Sequence, residues 1–339
     1  MISFVSPDLL FDRVDAYGAV SKPCLFLIDY EMRHGVFVDN PFEASEVFWE
    51  ASGVGNAALC GNDYKRGTYF SPVKIGSDEY GGKFDVISDA LRRGDTFLAN
   101  LTVATPVDTD YSLEEIFCRS MSRYRLLVPG LFVCFSPETF VRIDADGVIR
   151  SFPMKGTISG TIPDAERIIL NDYKETCEHN TIVDFIRSDL ARVGRNVRVE
   201  RFRYIDRLDT SHGEVLQVSS EVAADLPCRW RSSLGKIVRE LLPAGSICGA
   251  PRVATLDAIA RAEGEPRGFY TGIMGYFDGS RFDSAVLIRY LETPALAKAM
   301  GWKSDDVRLL KFRSGGGITI NSRCADEYDE VLEKVYLPF

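Results

Sequence analysis

The sequence predicts an α+β fold: a single large domain in which antiparallel sheets pack together and helices cover them. Three observations favour this class. Predicted helices alternate with pairs of predicted strands, two Asp-Gly pairs suit tight turns, and no Pro/Ser-rich linker or charge block divides the 339 residues. Because tight turns join antiparallel strands, this order indicates antiparallel sheets and not a βαβ nucleotide-binding fold.

In the first half of the chain, short apolar runs predict strands at residues 24–29 and 34–38. Residues 78–93 are predicted as a helix that ends at Gly94, because apolar side chains recur three and four positions apart. The positions on that apolar face are Tyr80, Phe84, Ile87 and Leu91. Further strands are predicted at residues 96–103, 131–135, 140–143 and 148–154, with Asp146-Gly147 as a hairpin turn.

In the second half, a long helix is predicted at residues 172–193, followed by a strand at 197–207. Helices at 230–242 and 251–263 precede a hairpin of strands 269–277 and 281–291 around Asp278-Gly279. The inward face of the first of these helices is predicted to carry Leu234, Ile237, Val238 and Leu241. Strands at 307–312 and 317–320 and a helix at 325–336 complete the chain.

Composition limits the classes of function. The formal net charge of −9, from 49 acidic and 40 basic residues, argues against a nucleic-acid or anionic-membrane partner. The sequence contains no run of eighteen apolar residues, so no membrane span is expected. The N-terminus lacks the pattern of a secretory signal. The eight cysteines stand singly with no CxxC pair, which favours buried thiols in a reducing cytoplasm.

Two acidic pairs are the first candidate site. Glu175 and Glu178 lie in one predicted helix, and Glu327 and Glu330 lie in another. Residues three apart share a helix face, so each pair projects two carboxylates in one direction. If both helices face one cavity, Mg²⁺ is the cation that suits four carboxylates. Alternatively, the pairs lie on solvated faces, where acidic residues favour a helix's first turn.

Lys155 is the second candidate, because it follows an apolar run, residues 152–154, and precedes Gly156-Thr157. A lysine beside a core loses hydration, which lowers its pKa, and a neutral amine is a nucleophile. Gly156 and Thr157 could offer backbone N–H groups and a hydroxyl to a substrate carboxylate. The alternatives are a simple turn and a lysine whose stem packs while its head reaches water.

Together these segments resemble the chorismate-utilising enzymes, which include anthranilate, aminodeoxychorismate, isochorismate and salicylate synthases. The resemblance covers residues 80–333 of a single domain, 1–339, and residues 1–75 match poorly. Its motifs occur in family order and are GDTF with NL at 94–101, SPE at 136–138, KETCEHNTIVDFIRSDLARV at 174–193, GSICGAP at 245–251, YTG at 270–272, GY at 275–276, IR at 288–289 and GGGI at 315–318.

The resemblance implies the fold of anthranilate synthase component I, with four layers in the order α/β/β/α. It implies that Glu178 and Glu330 contact Mg²⁺ directly, that Glu175 and Glu327 hold its waters, and that Glu138 protonates the departing C4 hydroxyl of chorismate. The residues that it implies for substrate binding are Gly156, Thr157, Ser246, Tyr270, Arg289, Gly316 and Gly317.

Among these enzymes the chain is most similar to component I of aminodeoxychorismate synthase, because that branch resembles PxKGT at Lys155 and Gly-Ser at 245–246. The resemblance implies amination of chorismate to 4-amino-4-deoxychorismate, for 4-aminobenzoate and folate synthesis, through a covalent adduct on Lys155. Ammonia would come from a glutamine amidotransferase partner, in a cytoplasmic heterodimer.

Several positions depart from the family pattern, among them Ile158-Ser159-Gly160 after Thr157 and Tyr290 after Arg289. At a further one, Gln217 stands where a histidine is common, and an amide does not transfer a proton at neutral pH. Three other functions stay open at this stage. They are an isochorismate or salicylate synthase that uses water, an anthranilate synthase component I, and a non-catalytic chorismate-binding regulatory subunit.

Overall fold

A computed structural model describes residues 2–61, 64–210, 213–302 and 309–339. In these ranges the strands are β1 (Cys24–Ile28), β2 (Gly35–Val38), β3 (Phe48–Ala51), β4 (Val54–Gly55), β5 (Phe70–Pro72), β6 (Leu98–Thr109), β7 (Tyr124–Val128), β8 (Phe132–Ser136), β9 (Thr139–Ile143), β10 (Val148–Ser151), β11 (Met154–Ser159), β12 (Arg195–Thr210), β13 (Gly213–Asp225), β14 (Gly249–Ala250), β15 (Ile273–Phe277), β16 (Phe282–Val286), β17 (Tyr290–Glu292) and β18 (Leu310–Ile318). The α-helices are α1 (Pro7–Ala19), α2 (Ser77–Arg93), α3 (Leu113–Arg119), α4 (Ala165–Asn171), α5 (Tyr173–Val193), α6 (Leu234–Leu241), α7 (Gly245–Cys248), α8 (Arg252–Glu263), α9 (Pro294–Ala299) and α10 (Cys324–Glu333).

The strands form two antiparallel sheets. The first has the order β11-β13-β10-β9-β16-β15-β1-β2, with β12 also paired to β13. The second has the order β14-β6-β18-β17-β8-β7-β3-β4, with β5 also paired to β6. Neighbouring strands are often far apart in sequence, as when β16 lies between β9 and β15. Each sheet is therefore built from strands of both halves of the chain.

The sheets pack face to face, and helices cover their outer faces. In β1, Leu25 and Leu27 belong to a buried cluster with Trp49 of the second sheet. The alternate residue Phe26 belongs to a cluster that includes Leu10 of α1. Helices α2, α8 and α10 cover the second sheet in a separate cluster. The prediction of antiparallel sheets covered by helices, in the order α/β/β/α, is confirmed.

The amphipathic helices follow the predicted faces. Tyr80, Phe84, Ile87 and Leu91 of α2 are buried, and Gly94 ends the helix in the left-handed conformation with φ of 77°. The four residues predicted to face inward from residues 230–242 are also buried, although a short 3₁₀ helix, Trp230–Ser233, precedes α6. Helix α5 spans nearly the predicted range.

One prediction near the C-terminus was wrong. Residues 307–312 and 317–320 were predicted as two strands, but β18 runs unbroken from Leu310 to Ile318 through three glycines. Residues 307 and 308 lie outside the described residues. The glycines stay extended because Gly315, Gly316 and Gly317 pair with residues 100–102 of β6. Glycine's weak preference for strands is thus overridden by pairing with a neighbouring strand.

Three further strand predictions differ from the structure, and in two of them one predicted strand is in fact two. Residues 148–154 form β10 and β11, which separate at Phe152-Pro153. Residues 281–291 form β16 in the first sheet and β17 in the second, so the chain changes sheets between them. The strand predicted at 96–103 begins at Leu98 and continues to Thr109. Long-range pairing decides each of these boundaries.

Two further properties concern the cysteines and the helices. The eight cysteines are free thiols, of which Cys24, Cys134 and Cys248 are buried and Cys228 is exposed. Cys60, Cys118, Cys177 and Cys324 are half-buried, so the expectation of buried thiols is confirmed for three of the eight and wrong for Cys228. Among the described residues, no helix has both the length and the apolar character to cross a membrane.

Candidate active site

A cavity of about 290 Å³ lies between the two sheets and helices α5 and α10. Nine residues predicted for catalysis or substrate binding and one predicted metal ligand line it: Glu138, Lys155, Gly156, Thr157, Ser246, Tyr270, Arg289, Gly316, Gly317 and Glu330. Gln217, at the position where a histidine was expected, also lines it. The structure thus brings residues from both halves of the chain around one space.

Lys155 reaches this cavity from β11, and the strand does not end there as predicted. The strand continues to Ser159, and its pairing with β13 shifts between Met154 and Thr157. Gly156 provides the irregularity, with φ of 89°, a conformation that favours glycine. The bulge allows the strand to continue while Lys155, Gly156 and Thr157 all line the cavity.

The amine of Lys155 lies between the helix α5 and the strand β18. Its Nζ is 3.4 Å from Oε2 of Glu178. A methyl group added at Gly317 would lie 3.1 Å from the same Nζ, so a side chain at that position would crowd the amine. About a quarter of the Lys155 side chain, 27%, stays exposed. The amine is therefore accessible to a molecule in the cavity.

The two acidic pairs approach from different sides. On α5, Oε2 of Glu175 lies 3.1 Å from the position of a methyl group added at Gly156. On α10, Oε2 of Glu327 and Oε1 of Glu330 lie 3.5 and 3.6 Å from a methyl group added at Gly316. Strands β11 and β18 belong to different sheets. Of the four predicted metal ligands, only Glu330 is among the described residues that line the cavity, and Glu175, Glu178 and Glu327 lie behind its wall.

The positions of these carboxylates can be compared with what the expected Mg²⁺ would require. The donor set consists of carboxylate oxygens, which suits a hard divalent cation. In the described part of the chain, no three acidic, histidine or cysteine side chains are grouped closely enough to hold a metal ion as they stand.

Glu138 lies at the end of the short turn after β8 and accepts a hydrogen bond from Ser246 Oγ at 2.7 Å. Burial raises the pKa of this carboxyl, and the hydrogen bond from Ser246 and the charge of Lys155 oppose that shift. A carboxyl whose pKa is raised keeps its proton to a higher pH than an ordinary glutamic acid, which suits a proton donor. Ser246, predicted as a substrate-binding residue, therefore also contacts the predicted acid.

Arg289 and Thr271 reach the cavity through unusual backbone conformations. Their φ values are 55° and 59°, in the left-handed region that side chains other than glycine's rarely adopt. Arg289 lies where the chain leaves β16 for β17, and its Nε donates to Tyr336 Oη at 3.1 Å. Such strain is often found at binding sites, and here it coincides with two cavity residues.

Lys334 is a cavity residue that the sequence reasoning missed. Its Nζ donates to Gly315 O at 2.8 Å and to Glu330 Oε1 at 2.6 Å. Burial lowers the pKa of this lysine, and the charge of Glu330 opposes the shift. Its spacing of four from Glu330 on a predicted helix could have indicated the pair.

His179 follows Glu178 but is fully buried, and its Nε2 contacts Ser220 Oγ at 2.7 Å. Burial lowers its pKa from 6.5 to about 4, so the imidazole is neutral at physiological pH. His179 is not one of the described residues that line the cavity. Its contacts are those of a residue that packs α5 against β13.

This burial predicts a pH dependence of stability. The unfolded chain takes up a proton at His179 below pH 6.5, whereas the folded protein does so only near pH 4. The free energy of unfolding should therefore fall as pH decreases across that interval. Urea unfolding at pH 7.5 and 4.5 should show that His179→Gln loses about 2 kcal/mol less on acidification than the native protein. An equal loss of unfolding free energy in both proteins would contradict the lowered pKa of His179 in the folded state.

Comparisons with known proteins are consistent with this geometry. A family model described as "chorismate binding enzyme" matches residues 47–338. An uncharacterized PabA-like protein of Haemophilus influenzae is 40% identical over 328 residues, 96% of this chain and 95% of that protein. Aminodeoxychorismate synthase component 1 of Klebsiella aerogenes is 31% identical over 280 residues, 78% of this chain and 57% of that protein.

Among solved structures, the menaquinone-specific isochorismate synthase MenF of Escherichia coli gives a TM-score of 0.72. The match covers 98% of this chain and 82% of that one, at 16% sequence identity. At this identity the likeness supports the fold and does not specify a reaction.

Proposed function

The chain belongs to the chorismate-binding enzymes, and from that premise we propose that it is an aminodeoxychorismate synthase component I. The observation that carries the proposal is the amine of Lys155 in the same cavity as Glu138. A lysine amine can act as a nucleophile toward the ring, and a buried carboxyl can protonate a leaving hydroxyl. The similarity to the Klebsiella component 1 supports the same reaction.

The proposed reaction has two displacements. The Lys155 amine bonds to C2 of chorismate, the ring double bond shifts, and the C4 hydroxyl leaves as water with a proton from Glu138. Ammonia then bonds to C4, the double bond shifts back, and the bond from C2 to Lys155 breaks. The new ammonium group at C4 gives one proton back to the Glu138 carboxylate. The products are therefore 4-amino-4-deoxychorismate and water, and both the lysine amine and the acid are regenerated.

The other cavity residues have binding roles in this proposal. The guanidinium of Arg289 suits a substrate carboxylate, and Gly156 and Gly317 leave room for close approach of the substrate to the backbone. Thr157, Tyr270 and the backbone at Gly316 complete the carboxylate sites.

Glu178 and Glu330 would hold Mg²⁺ directly, with Glu175 and Glu327 holding its waters. The bound ion would neutralise the ring carboxylate of chorismate. Ammonia would be supplied by a glutamine amidotransferase partner.

Product analysis tests the proposal. Purified protein is incubated with chorismate, Mg²⁺ and ammonium, and the products are separated and identified by mass spectrometry. We expect 4-amino-4-deoxychorismate, which a separate lyase converts to 4-aminobenzoate. Isochorismate or anthranilate as the main product would reject amination at C4. Binding of chorismate without turnover, with ammonium and the partner supplied, would indicate a regulatory subunit.

Ser246 provides a prediction about pH. Ser246→Ala removes a hydrogen bond that lowers the pKa of Glu138, so that pKa should rise further. Because the protonated carboxyl is the active form, the alkaline limb of the kcat profile should move to higher pH. The plateau kcat should fall about tenfold as the acid loses its orientation. Ser246→Thr keeps the hydroxyl and should retain the native limb. An unmoved limb in Ser246→Ala would exclude Glu138 as the acid.

A further inference from the structure

Arg267 is a buried arginine in the loop after α8, and only 1% of its side chain is exposed. Its Nε and Nη2 donate to both oxygens of Glu263, at 2.8 and 2.6 Å. Glu263 is itself held, because its Oε1 accepts from Thr102 N at 2.8 Å. A two-pronged pair of this kind fixes the plane of the guanidinium.

The remaining donors of Arg267 point away from Glu263. Nη1 donates to Ile247 O at 2.9 Å and to Thr271 Oγ1 at 3.4 Å. Nη2 donates to Asn100 O at 2.6 Å. Ile247, Thr271 and Asn100 all line the cavity, although they belong to three separate segments. One buried side chain therefore joins three parts of the cavity wall.

Each of these segments carries a residue of the proposed reaction. Ile247 follows Ser246, whose hydroxyl holds Glu138. Asn100 pairs in register with Gly317, which borders the Lys155 amine. The guanidinium thus connects the segment that orients the acid with the strand next to the nucleophile.

The third segment contains Thr271, which follows Tyr270 and has φ of 59°. The bond from Arg267 is one of the contacts that Thr271 Oγ1 makes, along with its donation to Tyr270 O at 2.6 Å. This helps to hold an unusual backbone conformation beside the cavity.

We infer that Arg267 is a positioning residue that sets the separation between Glu138 and Lys155. The inference rests on the proposed function, because it assigns the acid and the nucleophile. A buried charge far from water is costly unless all its donors are satisfied, and here the spare donors end on cavity-wall segments. Lysine at this position would keep the charge beside Glu263 but could not reach all the carbonyl groups.

The test compares Arg267→Lys with a matched variant, Arg313→Lys. Arg313 is also buried, with 5% of its side chain exposed, and its Nε donates to Glu292 at 2.9 Å. Its other ion pair is with Glu265, and neither carboxylate lines the cavity. Both variants should lose similar thermal stability. Only Arg267→Lys should lose kcat per folded molecule, about a hundredfold, with a smaller change in KM.

The pH dependence of kcat distinguishes a positioning role of Arg267 from a general loss of packing. If Arg267→Lys disturbs the bond from Ser246 to Glu138, its alkaline limb should move in the same direction as that of Ser246→Ala. An unmoved limb, or losses of kcat equal to those of Arg313→Lys, would overturn the inference. Should Arg267→Lys not fold, Glu263→Gln and its control Glu292→Gln form a milder pair with the same expectations.

The identity of the native protein's product distinguishes a failure of the proposed function from a failure of the inference about Arg267. If that product is isochorismate or anthranilate, amination at C4 fails, and the arginine comparison is made on that product. If no product forms, the comparison uses the dissociation constant of chorismate, which should rise in Arg267→Lys and stay native in Arg313→Lys.

Discussion

Lys155→Ala is expected to lower the rate of amination at least about a thousandfold, while chorismate still binds. The substitution removes the amine that is proposed to form the C2 adduct. The proposed substrate-binding residues, such as Arg289 and Thr157, line the cavity and are not altered by the substitution. Single-turnover measurements of 4-amino-4-deoxychorismate and a separate chorismate dissociation constant distinguish lost chemistry from lost binding.

Lys155→Arg is the control for charge. In the native protein the Lys155 Nζ lies 3.4 Å from Oε2 of Glu178. An arginine keeps a positive charge near that carboxylate, but its guanidinium is never neutral and cannot act as the nucleophile. We expect it to be as inactive as the alanine variant. Amination by either variant at a rate near that of the native protein would rule out the lysine adduct.

The adduct itself can be sought directly. Native protein mixed with chorismate and Mg²⁺ but without ammonium, then quenched with acid, should gain the mass of chorismate less one water. Peptide mapping should place the added mass on Lys155. A native protein that aminates chorismate and never carries this mass would favour direct attack by ammonia.

Glu330→Gln is expected to weaken Mg²⁺ binding at least about a hundredfold, because a neutral amide replaces one of the proposed direct ligands. Activity should then require much higher Mg²⁺, and calorimetric titration of Mg²⁺ should show the loss without any reaction. Glu178→Gln on α5 should have a similar effect, since Glu178 is the other proposed direct ligand. Both effects follow from one ion shared between α5 and α10.

Glu333→Gln is the matched control, since Glu333 lies on the same helix and is exposed. It should bind Mg²⁺ like the native protein. Equal weakening by Glu330→Gln and Glu333→Gln would indicate a general effect of helix charge. Mg²⁺ affinity that is unchanged in both Glu178→Gln and Glu330→Gln would place the ion elsewhere.

Much of the fold could be predicted because its cues are local. The apolar face of α2 and its ending at Gly94 depend on spacing along one helix. The strands β15 and β16 are joined by residues 278–281, where Gly279 has a positive φ and the Asp278 carboxylate accepts from Ser280 N and Arg281 N. The acidic pairs of α5 and α10 also depend on spacing alone.

The assembly of the site could be expected only through resemblance to a family. Periodicity did not show that α5 and α10 approach the same cavity, and spacing did not distinguish metal ligands from solvated carboxylates. Lys334 and the hydrogen bond from Ser246 to Glu138 were missed, and the partners of that bond lie 108 residues apart.

The sequence by itself therefore determined the elements and the faces that they bury, because hydrophobic periodicity and turn chemistry act between near neighbours. Only the tertiary structure decided the course of β18 through its glycines, the positive φ of Arg289 and the contacts of Arg267. Those features arise from pairing and packing between distant segments, and such contacts override the local preferences of the residues that make them.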